Sequence, residues 1–328
     1  MPDALDVICI GEALVDFLPD APGRRVRDVG AWVPGPGGSP ANIAVGLSRL
    51  GARAAMLGAV GQDEFGHFLV EHLAAEGVDV SHLRRTDEGR TGLVFISLSG
   101  KGERSFSYYR TRSAELFLGE RDLDVAFLER TRAVHLGTNS LLFREAQRTV
   151  LRMARAASAA GKIVSCDPNL RLHMWPDPSD LKALLAQLLP ACTVVKLSEE
   201  EIEFATGERD AEAALAALAR QGVPLPVVTR AEKGAVFRWR DVVVEVPAPA
   251  AQLVDATGAG DGFDAGLLFG LTRRYAVVDA LMRASAQELR ELVTFGCAVG
   301  SRVVEKLGAV AGLPRRDEVA DLLPPLLR

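Results

Sequence analysis

The chain has 328 residues, 48% of them hydrophobic and 25% charged, and a net charge of −5. That length supports one large domain with a smaller appendage, and the composition is ordinary for a soluble globular protein. No Lys/Arg-rich block and no run of about 18 apolar residues occurs; nucleic acid and membranes are therefore not expected partners.

In chain order, residues 6–10 form a short apolar run ending at Gly11, a buried strand candidate. Residues 41–50 read as a helix closed by Gly51, 54–60 as a strand, and 65–76 as a helix stopped by Gly77. Residues 93–98 and 104–109 flank Ser99-Gly100-Lys101-Gly102-Glu103, a hairpin pattern with a glycine-containing loop. From residue 133 strands and helices alternate. Strands are expected at 133–137, 163–167, 193–197 and 226–229. Helices are expected at 143–160, 179–189 and 202–221, the last broken near Gly207. This is the pattern of βαβ units and a parallel sheet covered on both faces. Residues 235–239 and 242–246 suggest an antiparallel hairpin at its edge, and 295–304 part of a C-terminal helix. Segments 14–36 and 93–109 break the alternation and are expected to form a small sheet outside the main domain.

The four cysteines, Cys9, Cys166, Cys192 and Cys297, lie far apart, with no pair at metal-ligand spacing. They point to a reduced, cytosolic protein. The N-terminus lacks a basic region followed by an apolar stretch, so no signal peptide is expected.

The stretch that carries most chemistry runs from Val254 through Asp255, Ala256, Thr257, Gly258, Ala259, Gly260 and Asp261 to Phe263. An apolar run ends in an acid, a glycine-punctuated turn follows, and Asp261 opens a segment with Phe263, Leu267 and Leu271 on one helical face. The glycines permit a tight turn and close approach of a ligand. The helix start turns unpaired N–H groups and a positive dipole end into that turn, an anion site suited to a phosphoryl group. An acid inside an anion site makes sense if it takes a proton from an attacking hydroxyl, although Asp is also a favoured helix cap. Dipole and amides are expected to lower the Asp261 pKa. P-loop, dinucleotide-fingerprint, zincin and Gly-x-Ser-x-Gly motifs are absent.

Several features read as structural. Trp32 and Trp239 suit packing, and His67, His72 and His82 suit surface or helix-face positions. Glu199 and Glu200 suit an acidic first helical turn, and Arg230, Glu232 and Lys233 a solvated cluster. Asn42 has a plain alternative as a helix-start residue.

From about residue 6 to 314 the chain resembles the ribokinase-like (PfkB-type) sugar kinases, and among them the fructokinases. The early motif is Gly37-Gly38-Ser39-Pro40-Ala41-Asn42-Ile43-Ala44, with Gly51 and Gly61; the late motif spans 255–266. Further matching stretches are Gly11-Glu12-Ala13-Leu14-Val15-Asp16, Arg90-Thr91-Gly92, Gly102-Glu103-Arg104-Ser105-Phe106, Tyr109-Arg110, Asp167-Pro168-Asn169-Leu170-Arg171 and Lys196-Leu197-Ser198-Glu199-Glu200-Glu201.

The resemblance implies an α/β fold: a single ribokinase-like domain over 1–328, a doubly wound, mostly parallel sheet flanked by helices. Lid segments at about 14–36 and 91–115 would form a small β-sheet. It implies Asp261 as catalytic base and anion-hole amides from Gly258, Ala259 and Gly260. Asp16, Gly37, Gly38, Asn42, Arg110 and Arg171 would contact sugar or phosphate. Asn169, Lys196, Ser198, Glu201, Thr229 and Gly234 would serve ATP. Glu201 would hold Mg2+ through water, and Asp255 and Thr257 a monovalent cation such as K+. Departures are Ala256, Ser198, Ala231 in place of a usual Gly, and Glu115 in place of Asp. The expected activity is phosphorylation of free D-fructose on its 6-hydroxyl by a cytoplasmic homodimer. Alternatives are a 2-keto-3-deoxygluconate, ribose or nucleoside kinase and, from another class, a catalytically inactive sugar-binding regulatory protein.

Overall fold

The computed structural model describes residues 4–20, 24–98 and 104–327; the expected loop Ser99–Glu103 lies outside them. Thirteen strands among the described residues form two sheets. In chain order they are β1 (Leu5–Ile10), β2 (Leu14–Pro19), β3 (Trp32–Gly37), β4 (Ala54–Gly61), β5 (Asp79–Thr86), β6 (Leu93–Leu98) and β7 (Arg104–Tyr109). There follow β8 (Thr131–Leu136), β9 (Ile163–Cys166), β10 (Val194–Ser198), β11 (Leu225–Thr229), β12 (Ala235–Trp239) and β13 (Val242–Val246).

The large sheet has the order β13-β12-β11-β10-β9-β8-β1-β4-β5. Strands β5 through β11 in that order are parallel, and β12 and β13 add the expected antiparallel edge hairpin. The apolar run of β1 is explained by burial on both faces. Val7 and Cys9 enter one core, with the helices Ser39–Arg49, Ala259–Arg274 and Ala286–Val303. Ile8 and Ile10 enter the other, with Arg144–Ala159, Pro178–Leu188 and Ala211–Arg220. Connections leave β1 toward β4 on one side and return through β8 on the other. A crevice therefore opens beyond the carboxyl end of β1, where open α/β sheets bind ligands.

The small sheet has the order β3-β2-β6-β7. The segments that broke the alternation thus pair with each other, β2 running parallel to β6 through Val15–Leu93, Asp16–Val94 and Phe17–Phe95. Alternation sends Leu14, Asp16, Val94, Ile96, Phe106 and Tyr108 toward the crevice.

Two expectations are corrected. The helix of the glycine turn begins at Ala259, capped by Gly258 in the left-handed region (φ 81°), so Asp261 is its third residue and not its opener. Asn42 sits one turn inside the helix Ser39–Arg49, not at its start. The expected helix over 202–221 is two, Ile202–Thr206 and Ala211–Arg220, and Gly207 (φ 82°) makes the break. The helices Ala259–Arg274 and Ala286–Val303 approach closely along a glycine seam: a Cβ on Gly266 would lie 3.0 Å from Gly296 Cα. That seam sets where the glycine turn presents its amides.

Candidate active site

The crevice encloses a cavity of about 250 Å³ between the carboxyl ends of the large sheet and the inner face of the small one. The chain leaves β1 at Gly11 and presents Glu12, which is 2% exposed. Asp16 reaches in from β2. Gly37, at the end of β3, must lack a side chain because a Cβ there would collide with the Asp16 carboxylate. Gly38 (φ 99°) caps the next helix, whose first turns carry Ser39 and Asn42. Asn139, after β8, and Asn169 (φ 47°) and Arg171, after β9, complete the sheet side.

Asp261 sits at the opposite wall. Ser39 Oγ donates to its Oδ1 at 2.7 Å, and Asn42 Nδ2 donates to its Oδ2 at 2.8 Å. The early and late glycine motifs therefore meet at one carboxylate, 219 and 222 residues apart in sequence. Asn42, expected as a sugar contact, is first of all a partner of Asp261; its Oδ1 is left unpartnered. The first-turn N–H groups of Gly260 and Asp261 have no carbonyl partner within the helix. Ala259 departs from its expected role: its N–H donates to Ala256 O at 3.3 Å, and it does not line the cavity, whereas Gly258 and Gly260 do.

The expected lowering of the Asp261 pKa is reversed. Burial raises it above the ordinary carboxylate range, and the hydrogen bonds from Asn42 and Ser39 only partly oppose that rise. Burial, with Asp261 nearby, likewise pushes Asp16 up to about 7. Glu12 is raised by burial despite the neighbouring Arg110.

Arg110 holds its charge against burial because Glu115 and Glu12 stand beside it. Its Nε donates to Glu115 Oε1 at 2.8 Å and its Nη2 to Asn139 O at 3.0 Å. Glu115, the departure from Asp, is fully buried and fixes Arg110 at the cavity wall. Arg171 donates to the carbonyls of Asn169 and Leu170 and hydrogen-bonds Tyr108.

Behind Gly260 lies Lys196 Nζ, 2.6 Å from Asp167 Oδ2 and 3.7 Å from Asp264 Oδ2. A Cβ on Gly260 would stand 2.9 Å from that ammonium, so the turn packs directly upon it.

Of the expected nucleotide residues, Asn169 and Lys196 line the cavity, and the other four do not. Ser198, Thr229 and Gly234 lie at the ends of β10 and β11 and in the turn to β12, outside the cavity lining. Glu201 ties two loops together: Oε1 accepts from Leu170 N at 2.5 Å, and Oε2 from Ser198 N at 2.7 Å and Ser198 Oγ at 3.0 Å. Glu199 and Glu200 are exposed, but they lie in a turn before the helix Ile202–Thr206 and not in its first turn, which holds Glu203. Asp255 is buried; Oδ1 accepts from Thr257 N and Oγ1, and Oδ2 from Gly308 N. Among the described residues, no three His, Cys, Asp or Glu side chains cluster to hold a metal.

Trp239 packs in the core as expected, its Nε1 donating to Ala284 O at 3.0 Å. His82 is more than a surface residue, stacking on Phe127 with ring centroids 3.6 Å apart.

Glu12 and Asp167 stand at the carboxyl ends of predicted strands, where ligands bind, but carry no specific expected role, and Ser39, Asn139 and Asp264 carry none at all. Their signal was position alone: polar residues just past strand ends, and an acid one turn after Asp261. Most informative are three acceptor oxygens, Glu12 Oε2, Asn42 Oδ1 and Asn139 Oδ1, buried without any hydrogen-bond partner. All belong to cavity-lining residues.

The pfkB family of carbohydrate kinases matches residues 4–316. Among curated proteins, a probable fructokinase-7 of Arabidopsis thaliana is 37% identical over 97% of this chain and 92% of its own. Among solved structures, a fructokinase of Xylella fastidiosa with bound ATP is 32% identical, covers 97% of both chains, and has a TM-score of 0.89. A fructokinase of Vibrio cholerae with fructose, ADP and calcium is 32% identical, covers 98% of this chain and 100% of its own, and has a TM-score of 0.87.

Proposed function

The chain belongs to the pfkB family of carbohydrate kinases and is an ATP-dependent sugar kinase, and we propose that its substrate is D-fructose, converted to fructose 6-phosphate. The observation that carries this reading is that Glu12, Asn42 and Asn139, each with a buried acceptor lacking a partner, line the same cavity as Asp261 and the glycine turn. Buried acceptors without donors are costly. A polyol brings several hydroxyl donors at once. Fructose in particular is supported by the likeness to the plant and bacterial fructokinases.

In this reading Asp16, Glu12 and Asn139 orient the ring by accepting from its hydroxyls. Asp261 accepts the proton of the 6-hydroxyl as its oxygen bonds to the γ-phosphorus. The bond to the bridging oxygen breaks, and its electron pair leaves with ADP. The N–H groups at Gly258 and Gly260, with Lys196 behind them, face the charge on the transferring oxygens. Burial raises the Asp261 pKa, which makes it a better proton acceptor than an ordinary exposed aspartate. Asn169, Ser198, Thr229 and Gly234 serve the nucleotide, whose phosphates reach Arg110 or Arg171.

Both Glu201 oxygens already accept backbone or hydroxyl hydrogen bonds. That fits an outer role toward magnesium, reached through water. Magnesium, when bound, neutralises phosphate charge. Asp255 and Thr257 would hold a monovalent cation beside the turn.

The small sheet, with segments 14–36 and 91–115, acts as a lid that excludes water. Exposed Tyr109 and Val33 on it suit pairing of two subunits. Four free, buried cysteines suit a reducing cytoplasm.

ADP release measured with fructose, ribose, 2-keto-3-deoxygluconate and a nucleoside tests the proposal. The highest kcat/KM is expected with fructose. Faster turnover of another sugar would overturn the substrate, and no turnover of any would favour a sugar-binding regulator.

A further inference from the structure

Lys196, Asp167 and Asp264 form a buried cluster behind the glycine turn; Lys196 and Asp167 also line the cavity, and Asp264 stands outside its lining. All three are at most 5% exposed. Two carboxylates share one ammonium, at 2.6 and 3.7 Å. Asp167 is otherwise satisfied, its Oδ1 accepting from Asn169 N at 3.0 Å. Asp264 Oδ2 has no hydrogen-bond partner. Were both acids ionised, the cluster would bury one uncompensated negative charge beneath a turn meant for phosphate, which is doubly unfavourable.

We propose that Asp264 is a positioning residue that stands protonated, leaving Asp167 and Lys196 as a neutral ion pair whose ammonium backs the anion turn at Gly260. The groups facing Asp264 are Lys196 from β10, Asp167 from the loop after β9, Asp261 from its own helix, and the thiols Cys9 and Cys166 from β1 and β9. His135 from β8 faces Asp167 and Lys196 and is held neutral by burial, its pKa pushed down to about 4. Lys196 is therefore the single cation in this group. Burial drives Asp264 well above the carboxylate range while Lys196 holds Asp167 below it, in keeping with this division of charge. Helix geometry makes the arrangement purposeful: Asp264 follows Asp261 by three residues and shares its face. One helix thus carries the base toward the sugar and the proton-bearing acid toward the lysine.

The inference rests on phosphoryl transfer at the glycine turn, and two measurements separate its failure from failure of that reading. The first is infrared difference spectroscopy between the whole wild-type protein and Asp264→Asn. A protonated-carboxyl stretch present at pH 8 in wild type and lost in the variant is expected; its absence overturns the proposal whether or not the protein phosphorylates fructose. The second is kinetic. Lys196→Met is expected to lower kcat about 10²-fold or more, the scale of losing one preorganised charge partner, with the sugar KM nearly unmoved. Asp264→Asn, neutral and of the same shape, keeps at least about a third of kcat at pH 7, because a neutral hydrogen-bonding group replaces a neutral one. Wild type is expected to decline in alkali as Asp264 ionises, and Asp264→Asn to lack that decline. Asp167→Asn strips the ammonium of its ionised partner and lowers kcat by at least about tenfold, one charge-assisted contact's worth. Equal losses in Asp264→Asn and Asp167→Asn, with an alkaline limb unchanged in the former, would overturn the division of charge.

Discussion

Replacing Asp261 by asparagine isolates its charge and basicity from its shape. The carboxylate accepts from Ser39 Oγ at 2.7 Å and from Asn42 Nδ2 at 2.8 Å. In Asp261→Asn the amide oxygen can keep facing Asn42, while the amide nitrogen turns to Ser39, whose hydroxyl rotates to accept. The released Ser39 O–H and the amide's second N–H are left to water in the adjoining cavity, which both residues line. The wild-type carboxyl has a raised pKa, so its contribution to stability is complete below the unfolded value near 3.8 and declines as pH rises through the folded one. At pH 7 the neutral amide escapes that penalty. The melting temperature is therefore expected to stay level or rise. Catalysis loses a positioned base, about 10²–10⁴-fold in kcat, or about 2.7–5.4 kcal/mol of barrier. The sugar KM should move little, since the ring is oriented by other residues. Steady-state ADP release at saturating fructose, together with a thermal melt, tests both halves. A variant with more than half of wild-type kcat, or one that melts far lower, refutes the reasoning.

Three other outcomes are expected. With Asp16 pushed up to about 7, kcat/KM for the sugar should fall as pH drops below about 7 and this acceptor gains a proton, and the limb should vanish in Asp16→Asn; its persistence there would assign it to another acid. In Gly37→Ala the new methyl must displace the Asp16 carboxylate, so the sugar KM should rise at least about tenfold, or about 1.4 kcal/mol; a value within twofold of wild type contradicts the close fit. Amide exchange in β6 and β7 should slow when fructose binds, and unchanged exchange at saturation speaks against a lid.

The strands buried on both faces were legible because continuous apolar runs such as Val7–Ile10 leave little choice of structure. The small sheet was legible by exclusion, since 14–36 and 93–109 fit no βαβ unit. β5 was not, because its sequence, Asp79-Val80-Ser81-His82-Leu83-Arg84-Arg85-Thr86, is polar and half exposed at the sheet edge, so neither periodicity nor an apolar run marks it. Within the site, glycine punctuation pointed to the turn and to Asp261. Glu12, Asn139 and Asp264 carried no such local mark. What gives them meaning is burial and company, and both arise only when distant strands meet. The reversed pKa of Asp261 has the same origin: a dipole can be read from local sequence, whereas desolvation cannot.

The parallel ladder between β2 and β6 has a consequence for how the protein is made. Val15 pairs with Leu93 and Phe17 with Phe95, so the small sheet is sealed by contacts 78 residues apart in sequence. Neither hairpin, β2–β3 nor β6–β7, holds well alone. Closing so long a loop is slow unless the intervening segment is already folded. The helix Ser39–Arg49, β4 and β5 must therefore dock before the ladder can zip. The small sheet that closes the substrate cavity is then expected to form after those elements. Pulse-labelled exchange during refolding should protect β1 and β4 before β2 and β6, and the reverse order would exclude this sequence of events.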